Sequence, residues 1–460
     1  MGWKRVAAVV AVLGLAVGAC GGGRDDEADG GGDDPTTETT AASGESGQGM
    51  FGDLASPCGP GDATGATDQG VTDTAIQIGY GDDAGFQNSP GLNRELSDAV
   101  SAMIDWCNEQ GGINGRSIEG TYYDAKITEV NNVMTEACER EFFLVGQGWS
   151  LDASQESVRR ACAMPSVPGF AVSPQFANGP LKVEAFPVPA DFTVGAPAAQ
   201  LAELYPEKVD KAAIVYANYS ATIDTRDKAI SAYPELGWTF IGCDQEYNIQ
   251  GEADWKPFAQ KLKDCGAEMV YFVGSPNPNF RNMLEAADQL DYRPTWLVDT
   301  NFYDEAFRDW NTSGFGDDVY MRLSYIPFEE ADLNPATAQY LEMIEAAGGR
   351  TSLLGMQSTS AFLLWATAAQ ACGSELTRQC VFEELSGVTE WTGGGLHASG
   401  NPAENLPTDC GILVKLEGTT FVRAAPSEEG AYECDPSFAS AVDGPVVERA
   451  NLDADRISQL

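Results

Sequence analysis

From residue 75 onward, apolar positions alternate between a period of two and a period near 3.6, the rhythm of strands each followed by a helix. Residues 75–80 read as a strand, with Ile76 and Ile78 set against Gln77. Residues 92–110 carry Leu96, Val100, Met103 and Ile104 on one helical stripe, and Gly111-Gly112 supplies the left-handed residues that end a helix. Asn114-Gly115 predicts a turn, 117–123 a strand and 129–140 a helix. The apolar run 142–145 then passes through a glycine loop, Gly146-Gln147-Gly148-Trp149-Ser150, into a predicted helix over 151–163 and a strand over 166–170.

After Pro187-Val188-Pro189 the rhythm begins again. It predicts helix 191–205, strand 212–216, helix 222–233, strand 238–241, helix 253–265, strand 269–273, helix 280–290 and strand 295–298. A strand over 319–325, helices over 356–371 and 377–385, and a hairpin turning at Glu417-Gly418 follow. Residues 301–314 and 427–460 show no pattern that fixes an element. The halves share no sequence repeat, yet they read as structural copies. Strand–helix repetition predicts parallel sheets with right-handed crossovers, and about 400 residues exceed a single core, so two α/β lobes are expected.

Ligands of such sheets bind outside the carboxyl ends of the strands, where the loops 82–86 (ending in Phe86), Trp149-Ser150 and 171–173 lie. The first turn of a helix has unpaired N–H groups and partial positive charge, so a loop delivering Ser150 there can hold a carboxylate or another anion. Asp152, with Gln155 three residues on, reads as a cap of the same helix. The blander alternative is that both residues only satisfy the helix end.

Lys4 and Arg5 precede an apolar run, 6–18, that is shorter than the ~20 residues of a membrane span. It closes on Val17-Gly18-Ala19-Cys20, which resembles the lipobox of bacterial lipoproteins. The resemblance implies removal of 1–19 and acylation of Cys20. Residues 20–57, rich in Gly, Asp, Glu, Thr and Ser, read as a disordered tether. The chain is therefore expected outside the cytoplasmic membrane on one lipid anchor.

The formal charge is −42, with 27 basic against 69 acidic residues, which argues against a nucleic-acid partner. Eleven Cys are present. Setting Cys20 aside leaves an even number in an oxidising compartment. Short spacings favour Cys138 with Cys162, Cys243 with Cys265, Cys372 with Cys380 and Cys410 with Cys434, leaving Cys58 to Cys107. No Cys-x-x-Cys occurs and His397 is the single histidine, so neither a metal site nor a cofactor is expected. His397 reads as a loop residue. There is no Gly-x-Ser-x-Gly elbow, no Lys followed by Ser or Thr, and Leu151 stands where a dinucleotide fingerprint has its third glycine.

Several segments resemble the leucine-isoleucine-valine-binding family of type I periplasmic binding proteins, the solute receptors of ABC importers. They are Ile76-Gln77-Ile78-Gly79, the run Asn108-Glu109-Gln110-Gly111-Gly112-Ile113-Asn114-Gly115-Arg116, Tyr123-Asp124-Ala125, Ala137-Cys138 and Leu144-Val145-Gly146. Ala371-Cys372-Gly373, Leu376-Thr377-Arg378 and Gly393-Gly394-Gly395 extend the likeness, which covers residues 73–422. It implies two Rossmann-like lobes joined by a hinge of several crossings: 58–188 and 325–395 in lobe 1, 189–324 and 396–460 in lobe 2. It also implies a trap closing on a small polar solute, an amino acid or amide, for an ABC permease.

In the family's amino-acid receptors the first lobe holds the solute's carboxylate through hydroxyl and backbone groups, and an acidic residue of the second lobe meets its ammonium. Matching positions are Ser150, Ala171 and Ser173 in lobe 1, and Tyr219, Ser275 and Asp299 in lobe 2. The chain departs at Trp149, where many members carry something small and where the indole either stacks on a solute or fills the pocket. Ser275 replaces what is often aromatic. Asp82 and Asp83 read as solvated carboxylates before they read as contacts. Other readings are a sensor using the same trap, an amide hydrolase using Asp82 and Asp299, and a surface adhesin.

Overall fold

The computed structural model describes residues 49–443 and Val447, and its two large sheets share one strand order. In the first, Ser117–Asp124, Ala75–Asp82, Phe143–Val145 and Ser166–Val167 lie side by side and parallel. In the second the matching run is Gln245–Tyr247, Ala212–Ala217, Met269–Val273, Thr295–Val298 and Val319–Leu323, again parallel. Counted along the chain within each half, both begin second, first, third, fourth. The second sheet continues antiparallel through Cys410–Glu417 and Thr420–Ala425, the predicted hairpin. A strand covered on both faces is apolar throughout, and all five residues of Met269–Val273 are buried.

Helices cover the sheets. The helix Arg94–Glu109 buries Leu96, Val100, Met103 and Cys107, its apolar stripe, and packs against Leu353–Cys372. That second helix is buried on nearly every side, and its hydroxyls find partners: Ser358 Oγ donates to the Gly146 carbonyl at 2.6 Å and Thr359 Oγ1 to the Gly355 carbonyl at 3.0 Å. Gly146 has φ +69°, and a Cβ there would lie 2.4 Å from Val100 Cγ2. The close approach of loop and helix therefore requires glycine.

Three expected elements differ. Residues 191–205 are not one helix: Phe192–Val194 is a strand pairing with Ala439–Ala441, and the helix Ala196–Leu204 follows with Pro197 in its first turn. The strand next to Ala212–Ala217 is Gln245–Tyr247, whereas 238–241 contributes only a bridge from Phe240 to Ala212. The helix expected over 151–163 is a 3₁₀ turn, Asp152–Gln155, followed by the short helix Glu156–Ala161. Within 301–314, where no element was fixed, the helix Glu305–Trp310 appears, and the helix Pro335–Ala346 appears where none was expected.

Five disulfides link Cys58–Cys107, Cys138–Cys162, Cys243–Cys265, Cys372–Cys380 and Cys410–Cys434, the pairs that spacing favours. The expected signal segment, Cys20 and most of the tether lie outside the described residues, as does 444–460 apart from Val447. No described helix is long and apolar enough to cross a membrane.

The chain passes between the sheets three times, near residues 187–191, 324–327 and 397–409. Two of these segments pair through a Tyr325–His397 bridge, and the Phe186 ring packs on both residues. His397 thus lies outside any helix or strand, as expected, but it is buried where the chain crosses between the sheets. Its Nδ1–H donates to the Ala398 carbonyl at 2.9 Å and its Nε2 accepts from Ser360 Oγ at 2.7 Å, while burial lowers its pKa to about 4.

The last residues assigned to the tether are folded. Met50–Phe51 pairs with Leu54–Ala55, Phe51 is fully buried edge-on to Trp106, and the amides of Gly52 and Asp53 donate to Gln339 Oε1 and the Gly394 carbonyl. Phe51→Ala should therefore cost about 3–5 kcal/mol of stability. Urea unfolding of the variant, and of a chain beginning at Ser56, would measure this. A loss under 1 kcal/mol in both would show that the hairpin does not support the core.

Candidate functional site

In both sheets the first strand lies between the second and the third, so the connections after the first and third strands diverge and open a crevice at the carboxyl ends. In the first half these are the segment after Asp82 and the loop from Gly146 to Ser150. In the second half they are Asn218-Tyr219 and Gly274-Ser275.

The first-lobe loops are tied by carboxylates. Asp83 is fully buried; its Oδ2 accepts the Ser150 N–H at 2.7 Å and its Oδ1 accepts the Ile127 N–H at 2.7 Å. Asn93 Nδ2 donates to Ser150 Oγ at 3.3 Å. Asp152 is 1% exposed, and its two oxygens accept the Val172 N–H at 2.7 Å and the Ser173 N–H at 3.0 Å. It does not cap its own helix but binds the next loop. Ser150, in turn, does not stand at an open helix start, because Asp83 holds its amide. Asp82 Oδ1 accepts from Tyr122 Oη at 2.7 Å and the Ala84 N–H at 2.8 Å. Neither Asp82 nor Asp83 is the solvated carboxylate that charge alone suggests.

Burial dominates their ionisation. It raises Asp152 to about 7 against the pull of Ser173 and Val172, with Glu156 adding to the rise. Asp83 is raised for the same reason, its bonds to Ser150 and Ile127 opposing. Across the crevice, the Tyr219 hydroxyl has no hydrogen-bond partner among the described residues. Burial pushes its pKa up to about 12, with Asp299, Asp152 and Asp83 adding in that order. One tyrosine thus lies within the fields of carboxylates from both lobes.

Asp299 is half-buried, and its Oδ1 accepts from Tyr271 Oη at 2.6 Å and pairs with Arg322 Nη2 at 2.6 Å. Burial works against the Arg322 charge, and Asp299 overcomes it, holding the guanidinium charged. Arg322 was missed in the sequence, although a lone Arg within the apolar run Val319-Tyr320-Met321-Arg322-Leu323 was the available signal.

Other candidates are placed differently. The Trp149 ring is 1% exposed among Tyr123, Leu144, Val130 and Met134, with Nε1–H directed at the Tyr123 carbonyl at 3.4 Å, so it fills the first lobe. Ser275 Oγ turns to the Asn277 carbonyl of its own loop at 3.4 Å. Ala171 is buried beside Phe176 and Ala177, and Phe86 is half-buried in the turn after Asp83.

Polar contacts cross between the lobes. Asn88 Nδ2 bonds Gln250 Oε1, and Arg350 Nη2 lies 2.8 Å from Glu95 Oε1 and 3.7 Å from Asp304 Oδ2. Burial lifts Glu95 to about 7 despite Arg350. Among the described residues the one acid-and-sulfur group of metal-ligand spacing, Asp409, Cys410 and Cys434, has both sulfurs in a disulfide, so it offers no thiolate ligand.

A sequence model of a family described as periplasmic binding protein matches residues 76–420. No curated protein sequence matches the chain. Among solved structures, a fatty acid ABC transporter substrate-binding protein from Thermomonospora curvata aligns at 15% identity and TM-score 0.65, over 84% of this chain and 98% of that one. The branched-chain amino acid transporter substrate-binding protein LivJ from Streptococcus pneumoniae, in complex with isoleucine, aligns at 14% and 0.61, over 79% and 99%. A solute-binding protein of an ABC transporter from R. palustris, in complex with 4-hydroxybenzoate, aligns at 18% and 0.61, over 78% and 97%. At such identities the likeness shows the fold.

The raised Asp152 pKa sets a sign for pH dependence. The folded state binds this proton near pH 7 and the unfolded chain near 3.9, so stability falls as pH rises from about 4 to 7, by about 4 kcal/mol for this group. Asp152→Asn removes the titration. Urea unfolding at pH 5 and pH 8 should show a smaller pH difference for the variant than for the native chain, and equal differences would count against the buried ionisation.

Proposed function

Because the chain belongs to the periplasmic binding protein family, we propose that it is an extracytoplasmic solute receptor of an ABC importer. It is held to the membrane by a lipid on Cys20 and closes its two lobes on a small polar solute, of the amino acid or amide class that the sequence likeness implies. What supports the reading is that Asp83 and Asp152, which hold the Ser150 and Ser173 amides, and Asp299 in the second lobe all lie near enough to Tyr219 to raise its pKa. Closure gains its energy from second-lobe contacts that form only when the lobes meet around the solute, so the solute selects the closed state by differential affinity. The contacts Asn88–Gln250 and Arg350–Asp304 support a closed arrangement of this kind. No covalent chemistry is needed.

The receptor role is tested by the thermal midpoint of the purified, disulfide-bonded chain against amino acids, amides, aromatic acids, sugars and polyamines. A solute at about 100 times its dissociation constant adds roughly 2.7 kcal/mol. The shift should shrink in Ser150→Ala and in Tyr219→Phe. A shift that survives both substitutions unchanged would place the solute elsewhere, and silence across the panel would leave the receptor role without support.

A further inference from the structure

The positions expected to hold a solute's carboxylate are already holding carboxylates of the protein. The Ser150 N–H is bound by Asp83 at 2.7 Å, and the Val172 and Ser173 N–H groups are bound by Asp152 at 2.7 and 3.0 Å. Of the hydroxyls, Ser150 Oγ accepts from Asn93 Nδ2 at 3.3 Å and Ser173 Oγ accepts the Phe176 N–H at 3.4 Å. Asp83 and Asp152 are 0% and 1% exposed, so these are internal bonds and not surface encounters. The Ala171 N–H and carbonyl make no bond among the described residues, so this wall offers a solute an acceptor as well as a donor there.

On the opposite wall the cation is already neutralised. Arg322 is paired with Asp299 at 2.6 Å, and Tyr271 adds a third member to that pair. The Tyr219 hydroxyl remains without a partner among the described residues, as does the amide oxygen of Asn279, which is 6% exposed and lies next to Gly251 in the turn that meets the first lobe through Gln250. A solute carboxylate seeking the Ser150, Val172 or Ser173 amides would have to displace Asp83 or Asp152 and leave a buried carboxylate unsatisfied.

Resting on the solute-receptor reading, we infer that the solute carries no free carboxylate and meets the first lobe through its own donors, as an amide, an amine or a polyhydroxy compound. The protein's carboxylates take the place that a ligand carboxylate would have taken, and they discriminate against acids by occupying the Ser150, Val172 and Ser173 amides. The neutral or cationic solute completes the acceptors instead.

Matched compounds test this by titration calorimetry on the purified, disulfide-bonded chain: leucine, leucinamide and isoamylamine in one set, benzoate, benzamide and benzyl alcohol in another, with xylitol added. The amide, amine or alcohol of a set should bind at least tenfold more tightly than its carboxylate partner. A carboxylate that binds as tightly as its partners overturns the inference and leaves the receptor reading standing. If the sets are silent and the broader thermal panel finds a solute elsewhere, a carboxylate on that solute overturns the inference and its absence supports it. Silence in both removes the two together. Asp152→Ala supplies a second arm, since it frees the Val172 and Ser173 donors. The folded variant should gain at least tenfold in affinity for leucine or benzoate, and no gain in either would show that those donors do not face the solute.

Discussion

The two hydrogen bonds of Asp83, to the amides of Ser150 and Ile127, are the constraint from which the site's geometry follows. Parallel strands deliver loops to one end of a sheet without saying how those loops are held. Here the loop after the first strand holds the loop after the third, and Asp152 in that loop holds the loop after the fourth. The connections after all four strands are thus chained by two buried carboxylates, since Ile127 follows the second strand. Gly146 lets the chain approach the Arg94–Glu109 helix closely enough for the arrangement to close, and Ser358 fixes it from behind.

A chain of this kind stores an electrostatic cost. Each carboxylate is desolvated and only partly compensated by donors, which is why burial leads the causes of their raised pKa values. The cost is tolerated because breaking the bonds would leave buried amides unpaired as well. Hinge chemistry follows the opposite principle. His397 is kept neutral between Ser360 and its own backbone, under the Phe186 and Tyr325 rings, so the segments that flex carry no buried charge at that histidine.

Much of the fold was legible, and for a physical reason. Central strands covered on both faces must be apolar, so Ala212–Ala217, Met269–Val273 and Thr295–Val298 announce themselves, and the amphipathic stripe of Arg94–Glu109 does the same. Elements that depend on distant partners were not legible. The strand Phe192–Val194 exists because Ala439–Ala441 pairs with it, and no local pattern carries that information. Residues 238–241 misled because Trp238 is buried against Tyr233 without joining the ladder, while Gln245–Tyr247 joins it with one apolar anchor, Tyr247, packed on Trp255 and Phe272, and a buried polar residue, Gln245. Phe51 anchors a stretch whose composition otherwise reads as tether.

The site shows a finer limit. Position matching names Ser150, Ser173, Tyr219 and Asp299 as candidates, but matching residue types transfers an expected location and not a bonding state. Whether a serine amide is free to bind a solute depends on whether another side chain has already taken it, and here Asp83 and Asp152 lie 67 and 21 residues from the amides they occupy. Asp299 likewise matches an acidic position, yet its pairing with Arg322 changes what it can offer an ammonium group. Solute specificity in such a fold is therefore set as much by the partners of the contacting residues as by the residues themselves, and those partners become visible only when every buried donor is traced to its acceptor.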